Sequence, residues 1–143
     1  MKFLFILFLF LLPKQWEPDF ENAKKIAKEE HKLILLNFSG SDWCGPCIVM
    51  RKDYLNSELF SVMADENLVL VNADFPRKKA NQLAPEIVKR NEDLAALYNK
   101  VGKFPFTLLL SAEGKVLKTW TGKPEVSVDA WTTEVKSVCL ANK

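Results

Sequence analysis

The chain has 143 residues, of which 48% are hydrophobic and 27% are charged. This balance is typical of a single globular domain with a buried core, and it excludes a disordered chain. The 20 basic and 18 acidic residues give a net charge of +2, which provides no electrostatic basis for binding nucleic acid. Three cysteines are too few for a small domain held mainly by disulfides, and their odd number leaves at least one outside any intrachain bridge.

The N-terminal segment differs in composition from the rest of the chain. Lys2 is followed by ten residues, 3–12, drawn only from phenylalanine, leucine and isoleucine. This run is about half of the ~20 residues that a membrane-spanning helix needs, and it indicates an export signal. A buried N-terminal helix or strand is the alternative. We therefore predict a signal peptide or short anchor at 1–14, one domain at 15–143, and a periplasmic or secreted protein, membrane-tethered if the signal is not cleaved.

The rest of the chain alternates between helical and extended patterns. Some segments carry apolar residues at helical spacing, and short, nearly continuous apolar runs lie between them. The predicted elements, in chain order, are a helix at 19–32, a strand at 33–38, a helix that begins at Pro46 and is interrupted near 56–57, a strand at 68–73, a helix at 87–101, strands at 107–110 and 116–121, and a helix at 126–140.

This order of elements predicts an α/β fold. Strands that alternate with helices imply parallel pairing through right-handed crossovers, and the last two strands form an antiparallel hairpin. We expect a mixed four-stranded sheet, made of parallel strands plus the closing hairpin, with helices on both faces. In the helix at 87–101, the pattern directs four side chains toward the core: Leu94, Leu97, Tyr98 and Val101.

The most informative motif is Trp43-Cys44-Gly45-Pro46-Cys47, at the predicted start of the second helix. Two cysteines at this spacing can form a disulfide and reopen it. The N–H groups and the dipole of the helix favour a thiolate at Cys44. Cys47, one turn further along, can attack a mixed disulfide formed by Cys44. Pro46 suits the first turn of a helix, and Gly45 leaves the approach to Cys44 open.

A structural disulfide and half of a zinc site are the alternatives at this motif. A tetrahedral zinc site needs further ligands, and Cys139 and His31 are each distant in sequence and alone. The sequence therefore predicts no metal and no cofactor. Cys139 has the spacing of a buried apolar residue, with regulatory or intermolecular pairing as the alternative. We expect His31 to cap the first helix rather than to act in catalysis.

The motif at 43–47 matches the thioredoxin active site residue for residue, and the segment 102–107 resembles the proline loop of the same family. The chain thus resembles the thioredoxin family over residues 16–143, and within it the secreted bacterial thioredoxin-like proteins. The resemblance implies a thioredoxin fold and a cis bond between Phe104 and Pro105. It also implies that these two residues face the substrate and that Gly122 lines the same groove.

The sequence departs from the family at a buried acid. In thioredoxin, an aspartate in the strand before the motif helps to move the proton of the second cysteine. The matching residue here is Asn37, whose amide cannot titrate. The lysine that pairs with that aspartate is matched by Leu70. These differences leave open how Cys47 is deprotonated.

Polar and aromatic residues near the motif allow further predictions. Asp42 is either a substitute proton carrier or a solvated turn residue, and we favour the second. Trp43 and Phe104 are expected to form an apolar docking surface for extended or unfolded protein. The basic run at 77–79 is expected to be a solvated loop, with a rim that steers acidic partners as the alternative.

We expect thiol–disulfide exchange on protein cysteines, with Cys44 and Cys47 as the catalytic pair. The supporting residues are Trp43, Gly45, Pro46 and Asn37. The Gly-Pro between the cysteines resembles reducing thioredoxins, which favours a reductase recharged by an electron donor in the membrane or periplasm. An oxidant or isomerase of disulfides and a non-catalytic binding module are the alternatives. The expected partners are protein thiols and disulfides rather than nucleic acid, and the expected state is a monomer.

Overall fold

The computed structural model describes residues 16–142, and the predicted signal segment at 1–14 lies outside that range. The helices are α1 (Phe20–Glu30), α2 (Gly45–Val49), α3 (Glu58–Asn67), α4 (Pro85–Tyr98) and α5 (Val128–Ala141). The strands are β1 (Leu33–Ser39), β2 (Leu68–Asp74), β3 (Phe106–Leu110) and β4 (Val116–Thr121). A π-helical segment, Met50–Leu55, continues α2, and a 3-10 turn, Lys79–Asn81, precedes α4. Among residues 16–142, none of the helices combines the length and the apolar character that a membrane crossing requires.

The four strands form one mixed sheet in the order β2-β1-β3-β4, and the predicted thioredoxin fold is confirmed. Strands β1 and β2 are parallel, with Asn37 opposite Asn72. Strand β3 is antiparallel to β1, so Thr107 lies opposite Asn37 on the other edge, and β4 is antiparallel to β3. Parallel pairing in this sheet is confined to β1 and β2. Strand β3 begins with Phe106 opposite Phe38, near the end of β1, and finishes with Leu110 opposite Ile34, near its start, so the two strands run in opposite directions.

One face of the sheet, covered by α3 and α5, packs around Trp131. The Trp131 ring stacks on Phe60 with ring centroids 5.4 Å apart. It meets Tyr54 and Trp120 edge-on at centroid distances of 5.9 Å and 5.8 Å. Aromatic pairs at these separations stabilise a core beyond the burial of their area. Cys139 is fully buried in the same cluster, as its helical spacing predicts.

Helices α1 and α4 cover the opposite face, so the prediction of helices on both faces is confirmed. The rings of Phe20 and Tyr98 meet edge-on at 5.8 Å and join the two helices. The Tyr98 hydroxyl donates a hydrogen bond of 2.8 Å to the Gly114 carbonyl in the turn between β3 and β4. Burial raises the pKa of Tyr98, which further favours the protonated hydroxyl that donates this bond. His31 ends α1 in the left-handed conformation, with φ of 54°, as the predicted cap.

Helix α4 ends at Tyr98, earlier than predicted. Leu97 and Val101 are 68% and 81% exposed, so the prediction that both face the core is wrong. The helix stops because the Asn99 side chain forms two hydrogen bonds with the backbone of Lys103, each of 2.9 Å. This closed loop replaces a further helical turn and leads the chain toward the proline loop.

Leu94→Ala and Leu97→Ala form a matched pair that tests the core face of α4. Leu94 is 4% exposed, whereas Leu97 is 68% exposed. We expect Leu94→Ala to lower the free energy of unfolding by about 2–5 kcal/mol, because it leaves a cavity. Leu97→Ala should change it by less than about 0.5 kcal/mol. Urea denaturation followed by circular dichroism measures both values. Equal losses in the two variants would contradict this assignment of the buried face.

Candidate active site

The turn after β1 places Cys44 and Cys47 at the start of α2. Cys44 caps the helix, and its Sγ accepts a hydrogen bond of 3.3 Å from the Cys47 N–H. Pro46 lies in the first turn, where its missing N–H costs no helical hydrogen bond. A disulfide joins the two cysteines, whose Cα atoms lie 5.2 Å apart. Cys44 is 6% and Cys47 is 3% exposed, and a side chain at Gly45 would meet no atom within 4 Å.

Trp43 is held from several sides. Its Nε1 donates a hydrogen bond of 2.7 Å to the Phe75 carbonyl, and the guanidinium carbon of Arg77 lies 3.7 Å from its ring centroid. The Phe104 ring meets it edge-on at 5.4 Å. A Cβ atom at Gly40 would overlap the indole, so the turn allows no side chain there. Trp43 and Phe104 lie together as predicted, but Trp43 is half-buried and is wedged into the fold beside the cysteines.

Asp42 organises the loop that carries the basic run. Its carboxylate accepts hydrogen bonds of 2.9 Å from the backbone N–H groups of Arg77 and Lys78, and one of 3.0 Å from Asn81 Nδ2. These hydrogen bonds, first of all that from Arg77, lower the pKa of Asp42 below its ordinary value. A pocket lies beside Cys47, and Asp42 is not among the residues that line it. The structure therefore favours the turn role that the sequence predicts over that of a proton carrier.

The proline loop lies beside the motif. The Phe104–Pro105 peptide bond is cis, as the family resemblance predicts. The Pro105 carbonyl accepts a hydrogen bond of 2.8 Å from the Gly122 N–H, and Gly122 has a φ of +79°, which favours glycine. Phe104 contacts Trp43, the neighbour of Cys44 in sequence. The structure thus joins Phe104, Pro105 and Gly122, the three residues predicted to bind substrate, and brings Phe104 against the motif at Trp43.

Asn37 belongs to a buried polar cluster at the centre of the sheet. It is 2% exposed, and its Nδ2 donates a hydrogen bond of 2.9 Å to Asn72 Oδ1. Thr107 Oγ1 donates to Asn37 Oδ1 at 3.0 Å, so both ends of the amide have partners. The sequence identified Asn37 but missed Asn72 and Thr107 as its partners. Their positions follow from the strand register, which no local pattern specifies.

A pocket of about 410 Å³, here called the Cys47 pocket, lies between α2 with its π-helical continuation and the ends of β1 and β2. Cys47 and Asn37 line it. The charged residues of its lining are Arg51, Lys52 and Asp74. The guanidinium carbon of Arg51 lies 4.5 Å from the ring centroid of Trp16. Burial lowers the pKa of Arg51, and the charge of Asp74 opposes this effect; the guanidinium stays a cation at neutral pH.

Arg51 was missed by the sequence reasoning. The available signal was its distance of four residues from Cys47 within one predicted helix, which places two side chains on one face. That signal is weak, because the same spacing holds for many solvated lysines and arginines. The pocket and the neighbouring Trp16 ring distinguish Arg51, and both depend on the tertiary structure.

These groups are arranged for thiol–disulfide exchange. The start of α2 offers N–H groups and the positive end of a helix dipole to Cys44, which stabilises a thiolate there. Cys47 is bonded to Cys44, so it can displace a partner that Cys44 holds. Within residues 16–142, no group of three or more histidine, cysteine, aspartate or glutamate side chains is placed to hold a metal ion. The fold and the site define a thiol–disulfide oxidoreductase with Cys44 and Cys47 as its redox pair.

Comparison with known proteins identifies the family. Residues 15–112 match the family model described as thioredoxin-like, and the chain belongs to that family. It is 39% identical over 123 residues to the disulfide bond reductase DsbH of Chlamydia pneumoniae, across 86% of this chain and 71% of that protein. It is 30% identical over 121 residues to the thiol-disulfide oxidoreductase ResA of Geobacillus thermodenitrificans, across 73% and 67% of the two chains. A solved structure of a DsbH oxidoreductase superposes with a TM-score of 0.79 and 37% identity, across 90% of this chain and 86% of that one.

Gly40→Ala and Gly45→Ala test whether packing against Trp43 holds the turn. A Cβ atom at Gly40 would overlap the indole, whereas one at Gly45 meets nothing within 4 Å. We expect Gly40→Ala to lower the free energy of unfolding by about 1–3 kcal/mol, because Trp43 must move. Gly45→Ala should change it by less than about 1 kcal/mol. Thermal unfolding of the oxidised proteins, followed by tryptophan fluorescence, measures both. A Gly40→Ala variant as stable as the wild type would show that the position of Trp43 is not fixed by packing against Gly40.

Proposed function

We propose that this protein is an exported thioredoxin-like reductase that reduces disulfides in protein substrates. The observation that carries the proposal is the Cys44–Cys47 disulfide at the start of α2, beside the cis Phe104–Pro105 bond. An extended substrate chain binds along Phe104, Pro105 and Gly122 and presents its disulfide to Cys44. Protein disulfides are favoured over small molecules because an extended chain can lie along this strip, which combines main chain with the aromatic ring of Phe104.

The proposed reaction has two displacements. In the reduced enzyme, the Cys44 thiolate attacks one sulfur of the substrate disulfide, and the other substrate sulfur leaves as a thiolate that takes up a proton. Cys47 then attacks Cys44 Sγ, which releases the remaining substrate sulfur and forms the Cys44–Cys47 disulfide. Two electrons pass from the enzyme to the substrate. The Cys47 N–H, 3.3 Å from Cys44 Sγ, and the helix dipole support negative charge on Cys44.

Two observations favour the reducing direction. The residues between the cysteines are Gly45 and Pro46, as in reducing thioredoxins. The chain is also similar to a protein called a disulfide bond reductase, over most of its length. An oxidant or isomerase uses the same two cysteines, and the difference between these activities lies in the reduction potential of the pair.

The apolar run at 3–12 supports export, and with it a periplasmic or secreted location. An oxidising compartment drives a dithiol toward the disulfide, so a reductase there needs a supply of electrons. We infer a donor in the membrane or periplasm that reduces the Cys44–Cys47 disulfide after each turnover. The protein acts as a monomer in this proposal.

A Cys47→Ser variant tests the exchange mechanism on protein substrates. It keeps the attacking Cys44 but lacks the thiol that resolves the mixed disulfide, so we expect substrates to remain covalently attached. Non-reducing electrophoresis followed by mass spectrometry identifies the trapped proteins. Cys44→Ser is the matched control and should trap none. If a variant with both cysteines replaced by serine keeps the full cellular role, the protein is a binding module and the exchange proposal is wrong.

The reduction potential of the Cys44–Cys47 pair tests the direction. Equilibration in glutathione or dithiothreitol buffers, with thiol alkylation as the readout, gives its value. We expect a potential near the thioredoxin level of roughly −270 mV. A value near roughly −180 mV would indicate an isomerase, and one near roughly −120 mV an oxidant. The variant with both cysteines replaced by serine is the control, because any alkylation that it shows belongs to Cys139, outside the pair.

A further inference from the structure

We propose that the guanidinium of Arg51 stabilises the thiolate of Cys47 in the reduced enzyme, and so speeds the release of substrate from Cys44. The inference rests on the proposed function, because it concerns the second displacement of the exchange reaction. Arg51 is a positioning residue in this scheme, since it acts through Cys47 and does not touch the substrate.

Cys47 must lose its proton before it can attack a mixed disulfide. Cys47 is only 3% exposed, and burial in apolar surroundings disfavours the charged thiolate. The neighbouring Asn37 has no acidic or basic group to take part in the transfer, and Leu70 is apolar. These two strand positions therefore offer no charge, and a positive charge that favours the Cys47 thiolate must come from outside the sheet.

Arg51 supplies this charge from the same helix as Cys47. It follows Cys47 by four residues along α2 and its π-helical continuation, and both side chains line the Cys47 pocket. Arg51 is half-buried, where charges interact more strongly than in bulk water. The Trp16 ring, 4.5 Å from the guanidinium carbon, limits its movement. Trp16 is held in turn by the adjacent Glu17 N–H, which donates a hydrogen bond of 2.7 Å to the Leu70 carbonyl.

The other charges of the Cys47 pocket are those of Lys52 and Asp74. Lys52 is exposed, so solvent screens its ammonium group. Asp74 accepts hydrogen bonds from Ser39 Oγ at 3.1 Å and from the Ser41 N–H at 2.9 Å, and a further one from Ser41 Oγ. These bonds occupy its carboxylate in holding the turn that follows β1. The lining thus holds two cations and one anion, and of the two cations Arg51 is the half-buried one, whose charge solvent screens less.

The proposed step balances without an additional reactant. The Cys47 thiol gives its proton to solvent water, and the resulting thiolate forms a bond to Cys44 Sγ. The bond between Cys44 and the substrate breaks, and the substrate sulfur leaves with the electron pair and takes up a proton. The enzyme ends oxidised and the substrate reduced.

The test measures the pKa of the Cys47 thiol in the full chain carrying Cys44→Ser. The pH dependence of alkylation by iodoacetamide gives the value, and peptide mass spectrometry assigns the label to Cys47. Arg51→Gln should raise this pKa by about one unit, which leaves about tenfold less thiolate at neutral pH. Arg51→Lys should keep most of the wild-type value, because it keeps the charge. Arg90→Gln, the same substitution at a pocket beside α1 and α4, should leave it unchanged.

The rate of the second displacement provides an independent readout. In the chain with both cysteines, a peptide disulfide loads Cys44, and the release of the peptide thiol is followed at neutral pH. Arg51→Gln should slow release by about threefold, because the tenfold loss of thiolate is partly offset by the greater nucleophilicity of a more basic sulfur. As the pH rises above the thiol pKa, this difference should vanish and then reverse, because both thiols are ionised and the more basic sulfur is the better nucleophile.

Several results would overturn the inference. An unchanged Cys47 pKa in Arg51→Gln would do so. A rise of the Cys47 pKa in Arg51→Lys as large as that in Arg51→Gln would also do so, because it would point to the contact with Trp16 rather than to charge. Slower release in Asp74→Asn, with normal release in Arg51→Gln, would make Asp74 the proton acceptor instead. The proposed function fails separately. If Arg51→Gln raises the Cys47 pKa as expected but the wild-type protein reduces no protein disulfide, the effect of Arg51 on Cys47 stands and the proposed function is wrong.

Discussion

The site depends on the confinement of β1, which is paired on both edges and covered on both faces. All seven residues of the strand are buried, with β2 on one side and β3 on the other. A strand held in this way cannot shift its register by one residue, because its side chains would exchange faces. The end of β1 is therefore fixed in space. The turn that starts there carries Cys44, and Asn37 is fixed below it.

Side chains from the two loops that follow β1 and β2 fasten the cysteines to this rigid strand. Trp43 donates to the Phe75 carbonyl, Asp42 accepts from the backbone at Arg77, and Asp74 accepts from Ser39. The first two bonds join one loop to the other, and the third joins the last residues of β1 and β2. A redox site benefits from such support, because the attacking and resolving sulfurs must meet in one geometry through successive displacements. The aromatic residue beside Cys44 thus serves the position of the cysteines as well as the surface that surrounds them.

The polar interior of this protein differs from the thioredoxin pattern in a consistent way. Asn37 and Leu70 replace an acid and a base by neutral groups, and the amide of Asn37 is satisfied by Asn72 and Thr107. At these two positions the strands therefore contribute hydrogen bonds but no charge, and the charged strand residue in the lining of the Cys47 pocket is Asp74 at the end of β2. In the proposed mechanism, the charge comes from the helix instead, through Arg51. This exchange keeps a buried carboxylate out of the sheet centre, where an unpaired charge is costly.

The sequence by itself determined the α/β order of elements and the Cys44–Cys47 pair, because these depend on local spacing and on residue types with specific chemistry. The thioredoxin fold and the cis Phe104–Pro105 bond were predicted from the resemblance of two sequence motifs to the thioredoxin family. The same resemblance placed Asn37 beside the site, because it matches the buried aspartate of thioredoxin. The sequence erred at Leu97, because helical periodicity cannot show where Asn99 ends the helix. Only the tertiary structure decided which residues surround Cys47. The partners of Asn37 follow from strand register, and the place of Arg51 follows from the packing of a helix over strand ends, which are contacts between residues far apart in the chain.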